Sequence, residues 1–208
     1  MSGARPRIGV LGGTFDPIHL GHLIIASHAA DALHLGIVLF MPAQTPPHKR
    51  NKAISPVHDR IAMVHLAIDG DARFAFSDLD LTTGEPSYTA DLVERLGGEH
   101  PDGEIFFIAG ADSLRDFPTW HEPERILRHA RLAIAARPGV VIDAAMLDAM
   151  PDLRNRTTTF ASPLMEISAT GIRKRVREGH SVRYLVPDAV ERYIRDHGLY
   201  LDGPTHSG

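Results

Sequence analysis

Short unbroken apolar runs alternate along the chain with stretches of helical spacing. Ile8–Leu11 is apolar and stops at Gly12-Gly13, the pattern of a strand buried on both faces. Leu20, Leu23, Ile24, Ser27, His28 and Asp31 then follow helical spacing, and Gly36 closes that segment. Ile37–Met41 reads as a second buried strand, and Pro42–Pro56, rich in proline and polar residues, as a long loop. Loops of that length inside a compact domain are usually functional or disordered. Ser55-Pro56 suits the N-cap and first position of a helix reaching about Ile68. Phe74–Leu81 alternates as a strand does, and Ser87–Leu96 reads as a helix stopped by Gly97-Gly98. Glu104–Ala109 is a buried strand ending on Gly110, and His121–Ala130 has helical spacing. Leu132–Ala136 is another strand before the Arg137-Pro138-Gly139 turn. A short strand near Thr157–Phe160 precedes helices at about Ser168–Glu178 and Pro187–His197.

Strands that alternate with helices imply right-handed βαβ units and an α/β fold whose parallel sheet is covered on both faces. There is no internal repeat and no low-complexity segment, and the ends, Met1–Pro6 and Asp202–Gly208, are expected to fray. At 208 residues the chain suits one generous domain.

Composition narrows the function. A formal net charge of -4, from 22 basic and 26 acidic residues, argues against a dedicated nucleic-acid or membrane-surface binder. The absence of cysteine removes disulfides, zinc-thiolate sites and cysteine nucleophiles, and allows a reducing compartment. No signal-peptide pattern opens the chain, and its apolar runs fall far short of the ~20 residues a spanning helix needs. A cytoplasmic protein is expected.

The chemistry concentrates in GVLGGTFDPIHLGH, Gly9–His22. In a parallel sheet, ligands bind beyond the carboxyl ends of the strands, where strand order reverses. A helix start favours anions, and Gly12 and Gly13 let backbone approach a phosphate closely. Neither the dinucleotide fingerprint nor the P-loop pattern is present. His19 and His22, three apart, share a face of the helix start. They could be a metal pair, although helical zinc pairs usually sit four apart and no third ligand is obvious. They could be capping or packing residues, or donors to phosphate oxygens that gain charge during transfer. Gly21 between them would let a backbone or ligand come close, which favours the last reading. No serine elbow occurs. If the attacking group is a substrate phosphate, no protein nucleophile is needed, and catalysis becomes positioning plus electrostatics.

Thr14-Phe15-Asp16-Pro17-Ile18-His19-Leu20-Gly21-His22 resembles the (T/H)xGH signature of the nucleotidyltransferase superfamily, and GGTFDPIHLGH is similar to the bacterial nicotinate-nucleotide adenylyltransferase family. PPHK at Pro46–Lys49, SYTAD at Ser87–Asp91, GADSL…W from Gly110 to Trp120, RPG at Arg137–Gly139, ISATGIRKR at Ile167–Arg175 and YLVPDAVERYI at Tyr184–Ile194 continue the resemblance in order. It implies a Rossmann-like, doubly wound parallel sheet of the nucleotidyltransferase type with a helical C-terminal part. In that frame residues 7–165 form the core and 166–200 complete the ATP site. The implied partners are ATP and nicotinate mononucleotide, with Mg²⁺ carried by ATP and no metal held by protein side chains. The implied products are nicotinate adenine dinucleotide and pyrophosphate, formed by direct in-line attack without a covalent intermediate.

The same resemblance suggests roles. Lys49 would fold over the ATP phosphates from the long loop, against the bland reading of a solvated lysine. Gly12, Gly13, Thr14, Phe15, His19 and His22 would form the phosphate loop, with Asp16-Pro17 shaping it. Ser168, Thr170 and Arg173 resemble the element that grips the triphosphate, with departures at Ala169 and Gly171. Lys174, Arg175 and Arg177 read as a solvated basic face. Gly110 and Asp112 would meet ribose hydroxyls, although Asp112 could instead cap the next helix. Trp120, the only tryptophan, would stack on the pyridine ring, against the alternative of a core residue. Tyr88 and Thr89 at a helix start would hold a carboxylate, favouring the acid over the amide. Leu92 departs from the family pattern there, and simple packing and capping remain the alternative. Phosphopantetheine adenylyltransferase and a nicotinamide-mononucleotide enzyme are the nearest competing activities. A nucleotide sensor without turnover is the reading from another class.

Overall fold

The computed structural model describes residues 5–44, 54–82, 88–136, 150–163 and 165–201. Six parallel strands form one sheet in the order β3-β2-β1-β4-β5-β6. They are β1 (Arg7–Gly13), β2 (Ile37–Pro42), β3 (Phe74–Phe76), β4 (Glu104–Gly110), β5 (Arg131–Ala136) and β6 (Thr157–Ala161). The helices are α1 (Leu20–Leu33), α2 (Val57–Ile68), α3 (Thr89–Glu99), α4 (Ala111–Asp116), α5 (Pro123–His129), α6 (Pro151–Arg156), α7 (Ala169–Arg177) and α8 (Asp188–Asp196). The order runs outward from β1 through β2 to β3, then restarts at β4 beside β1. That reversal is a topological switch point, and it opens a crevice beyond Gly13 and Gly110.

Period-two alternation divides the core in two. Leu11, Phe106, Ile108 and Ala133 face one side, where α1, α2, α7 and α8 contribute Ala26, Met63, Ile172 and Val190. Val10, Ile105, Phe107, Leu132 and Ile134 face the other, with Leu96 of α3, Ile126 of α5 and Leu153 of α6. The C-terminal helices thus bury their apolar stripe against the same layer as α1. Gly9 lacks a side chain for a packing reason, since a Cβ there would sit 2.7 Å from Leu35 Cδ1.

Several boundaries differ from the sequence reading. α1 stops at Leu33, because His34 adopts a left-handed conformation (φ 52) and Leu35 N–H returns to the Ala30 carbonyl, so Gly36 lies beyond the helix. α2 begins at Val57, with Pro56 as its cap rather than Ser55. The strand expected over Phe74–Leu81 ends at Phe76 and gives way to a 3₁₀ turn at Leu79–Thr82. Ser77 Oγ accepts the Leu79 N–H at 3.4 Å, and Leu79 and Asp80 are both buried, which no strand with one solvated face permits. α3 continues through Gly97-Gly98 to Glu99, because burial of Leu92, Val93 and Leu96 outweighs a glycine penalty of ~1 kcal/mol each. α4 and α6, six residues each, are too short to show a helical period in the sequence. The turn at Arg137–Gly139 and both expected frayed termini lie largely outside the described residues.

Candidate active site

Two cavities, each of about 730 Å³, open side by side beyond the carboxyl ends of β1 and β4. His22, Ile25 and Gly110 line both, so the spaces meet at the start of α1. His19, Asp112, Ser168 and Thr170 line the first cavity. Gly12, Gly13, Thr14, Tyr88, Thr89 and Trp120 line the second.

The histidine pair is stacked, with ring centroids 3.7 Å apart and planes at 21°. His19 is the N-cap of α1 and His22 its third residue. The His19 backbone N–H donates to His22 Nδ1 at 3.2 Å. With Nδ1 accepting, a neutral His22 carries its proton on Nε2 and becomes a donor there. The capping reading and the phosphate reading are therefore compatible, one on each ring nitrogen. His19 is buried, and burial pulls its pKa down to about 4. Its Nδ1 is buried without a well-formed hydrogen bond. Near neutral pH this ring is uncharged, so the stack avoids repulsion between two cations.

Gly21 has a different task from the one its place in the motif suggested. A Cβ there would lie 3.0 Å from His19 Nδ1 and 3.2 Å from Cε1, so the residue makes room for the imidazole itself. The helix start is also less open than its sequence implied, because Leu20 N–H donates to the Leu185 carbonyl at 2.9 Å.

Phe15 requires a correction as a ligand-binding side chain. Its ring is buried in the core, edge-on to His22 at 5.0 Å, and lines neither cavity. Its backbone, at φ 49, turns the loop. Asp16 is also buried: its carboxylate accepts the Tyr200 hydroxyl at 2.8 Å and the Ser55 N–H at 3.4 Å. The aspartate expected to shape the loop is thus engaged on both oxygens.

Ser168 caps α7 by accepting the Gly171 N–H at 3.1 Å, and a Cβ at Gly171 would meet that same oxygen. Arg173 sits behind the first cavity rather than in its lining. Its Nη1 donates to the Asp16 carbonyl at 2.6 Å and its Nη2 to Thr170 Oγ1 at 3.3 Å. Asp112 does not cap α4, whose N-cap is Gly110; it is exposed and pairs with Arg115 at 3.2 Å. Trp120 leans edge-to-face on Phe107 at 5.7 Å and tilts over Phe117 at 5.4 Å. Tyr88 occupies the N-cap position of α3 without a side-chain capping bond and packs against His121 with ring centroids 4.0 Å apart. Lys49, with the rest of PPHK, lies outside the described residues, as do Ser87 and Arg137.

Sequence reasoning missed three residues around the site. Arg60 is almost fully buried and donates to the carbonyls of Thr14, Ala43, Gln44 and Ser55 at 2.8 to 3.2 Å. It shares the buried face of α2 with Met63 and Val64, so a charge on an apolar stripe was the available signal. Asp80 lines the second cavity, and burial pushes its pKa up to about 6 against the Gln44 N–H and the Arg60 charge. Tyr200 reaches Asp16 from the far end of the chain, and nothing local in the sequence marks it. Among the described residues no group of three or more acidic or histidine side chains could hold a metal ion, and no helix is long and apolar enough to cross a membrane.

A parallel doubly wound sheet with a glycine loop, a histidine pair and a helix start at its switch point defines a nucleotidyltransferase-type protein. Residues 10–175 match the cytidylyltransferase-like family. The chain is 48% identical over 195 residues, 93% of its length and 91% of the relative's, to the "Probable nicotinate-nucleotide adenylyltransferase" of Thermomicrobium roseum. It is 47% identical over 194 residues, 93% of its length and 99% of the relative's, to the protein of that name from Thermus thermophilus. The chain belongs to the nicotinate-nucleotide adenylyltransferase family. Its fold matches that of Plasmodium falciparum nicotinic acid mononucleotide adenylyltransferase solved with NaAD, at TM-score 0.78 and 21% identity, covering 94% of this chain and 97% of that one. The same parasite protein solved with APC matches at TM-score 0.77 and 20% identity, with the same coverage.

Proposed function

We propose that the chain joins ATP and nicotinate mononucleotide, releasing pyrophosphate and forming nicotinate adenine dinucleotide. The observation that carries this reading is the pair of adjoining cavities that meet at His22 and Gly110, space for two nucleotides with a shared border. ATP takes the first cavity, with the ribose near Gly110 and Asp112 and the phosphates toward His19, Ser168 and Thr170. The pyridine nucleotide takes the second, its ring against Trp120 and its carboxylate at the α3 start formed by Tyr88 and Thr89.

A phosphate oxygen of the mononucleotide then attacks the α-phosphorus of ATP in line. The new P–O bond forms as the bond to the β-phosphate bridging oxygen breaks, and pyrophosphate leaves with that electron pair. The attacking oxygen is already anionic, so no protein base is required. His22, with its proton on Nε2, and the neutral His19 donate to oxygens that gain charge in the transition state. The Gly12, Gly13 and Thr14 backbone lines the phosphate path, with Phe15 turning the loop behind it; Arg173 supplies fixed positive charge behind the path, and Lys49 closes over it. Mg²⁺ enters with ATP as part of the substrate. A reaction between two dissolved nucleotides fits a cytoplasmic enzyme.

The test is Mg²⁺-dependent pyrophosphate release from ATP with nicotinate mononucleotide, nicotinamide mononucleotide or phosphopantetheine at equal concentration. Preference for the nicotinate substrate is expected. His19→Ala or His22→Ala should lower kcat by about 10²–10³ while ATP still binds. Preference for the amide would overturn the Tyr88–Thr89 carboxylate site and leave the chemistry standing. ATP binding without release from any of the three would overturn the reaction in favour of a sensor.

A further inference from the structure

The phosphate loop rests on the last turn of the described chain. After α8, Gly198 (φ 59) and Tyr200 (φ 66) both adopt left-handed backbone, an uncommon conformation for a tyrosine. That turn sends the half-buried phenol back to the loop after β1, where its hydroxyl donates to Asp16 Oδ1 at 2.8 Å. Burial first, then the Asp16 charge, raises the Tyr200 pKa, so the phenol remains a donor at any working pH.

Asp16 is where three distant segments meet. Its Oδ2 accepts the Ser55 N–H, at the far end of the stretch that carries Lys49. Its main-chain carbonyl accepts Arg173 Nη1, and Oδ2 lies 3.9 Å from that guanidinium. A second contact ties the same C-terminal region to the same loop, where the Leu185 carbonyl accepts the first N–H of α1. A third joins Tyr193 of α8 to Asp59 of α2 at 2.9 Å, next to Arg60, which holds the Thr14 carbonyl.

We propose that Tyr200 is a positioning residue for adenylyl transfer, acting through Asp16 to hold both the phosphate loop and the Arg173 guanidinium in place. The proposal rests on the reading of Arg173 as a phosphate-side cation. Tyr200 lines neither cavity, so its influence on the reaction passes through the groups its hydroxyl meets, Asp16 first and the Ser55 side chain beside it. Without the hydroxyl, a buried carboxylate oxygen lacks its donor and turns toward another partner, such as the Arg173 guanidinium 3.9 Å from Oδ2.

Tyr200→Phe keeps the packing and removes one oxygen. It should lower kcat about tenfold, the weight of one buried hydrogen bond to a charged acceptor, and leave KM for nicotinate mononucleotide within about twofold. In an Arg173→Ala background the same change should cost clearly less than about tenfold, because one of the two paths it acts on is already cut and only the loop contribution is left. Amide hydrogen exchange of the full chain should rise several-fold across Thr14–Leu20 and at Ser55, and stay unchanged in α5. A merely structural tyrosine would lower Tm and leave the rates, read well below each variant's Tm, as they were; that result overturns the proposal. Full additivity with Arg173→Ala also overturns it, as does unchanged exchange over Thr14–Leu20. Wild-type turnover is the separate control: if it is absent, the functional reading fails, while the exchange measurement still decides whether Tyr200 holds the loop.

Discussion

Replacing Gly21 with alanine separates the geometry of the histidine stack from the stability of the fold. The added Cβ would lie 3.0 Å from His19 Nδ1 and 3.2 Å from Cε1, where ordinary contact begins at 3.4 Å. The imidazole must give way by a few tenths of an ångström. It has little freedom to do so, being 7% exposed and stacked on His22 with centroids 3.7 Å apart. The displacement therefore passes to both rings. A misplacement of about 1 Å costs about 10² in rate, so a few tenths should cost about five- to tenfold in kcat, or ~1 kcal/mol of barrier. Stability moves the other way or not at all, since alanine in a helix gains up to ~1 kcal/mol over glycine and the contact offsets it. The assay is the initial rate of pyrophosphate release at saturating substrates, paired with thermal unfolding of the same preparation. A variant with wild-type kcat and wild-type Tm would refute the claim that Gly21 exists to accommodate His19.

Two further predictions concern buried charge. His19, held at about 4 against an ordinary 6.5, binds its proton in the unfolded chain first, so its contribution is lost as pH falls through that window. Asp80, held at about 6 against 3.8, binds its proton in the folded chain first, so folding gains as pH falls from about 6 to 3.8. Each is worth up to about 3 kcal/mol and the two oppose one another in wild type. Urea unfolding between pH 4 and 6.5 should therefore show Asp80→Asn losing stability on acidification more steeply than wild type, and His19→Gln gaining it; slopes of the same sign would contradict both assignments. Arg60→Met should cost about 3–5 kcal/mol, because it strands Asp80 and four carbonyls that the guanidinium now satisfies. Adding Asp80→Asn should recover part of that loss in thermal unfolding, and no recovery would mean that the two groups do not share one charge balance.

Much of the architecture is legible in the amino-acid sequence. IVLFM at Ile37–Met41 and EIFFIA at Glu104–Ala109 read as strands covered on both faces, and both are strands of the parallel sheet. Glycines ending β1 and β4 located the crevice, and Ser168, Thr170, Tyr88, Thr89 and Trp120 do line its two halves. Local propensity misjudged β3 and α3, because the burial of Asp80 and of Leu96 is decided by what packs on them. Phe15 looked like part of the ligand surface because a motif records which residues belong together without recording which way each one points. Its ring turned inward, behind His22.

The sequence by itself determined the alternation of strands and helices, the glycine loop with its two histidines, and the family to which the chain belongs. Those signals are local, carried by hydrophobic period and by spacing within a dozen residues. Only the tertiary structure decided that Arg60 holds the ends of the loops, that Gly21 yields space to His19, and that Tyr200 meets Asp16. These contacts join residues far apart in sequence, and their strength comes from shared burial, which exists only once the sheet and its two helical layers have closed.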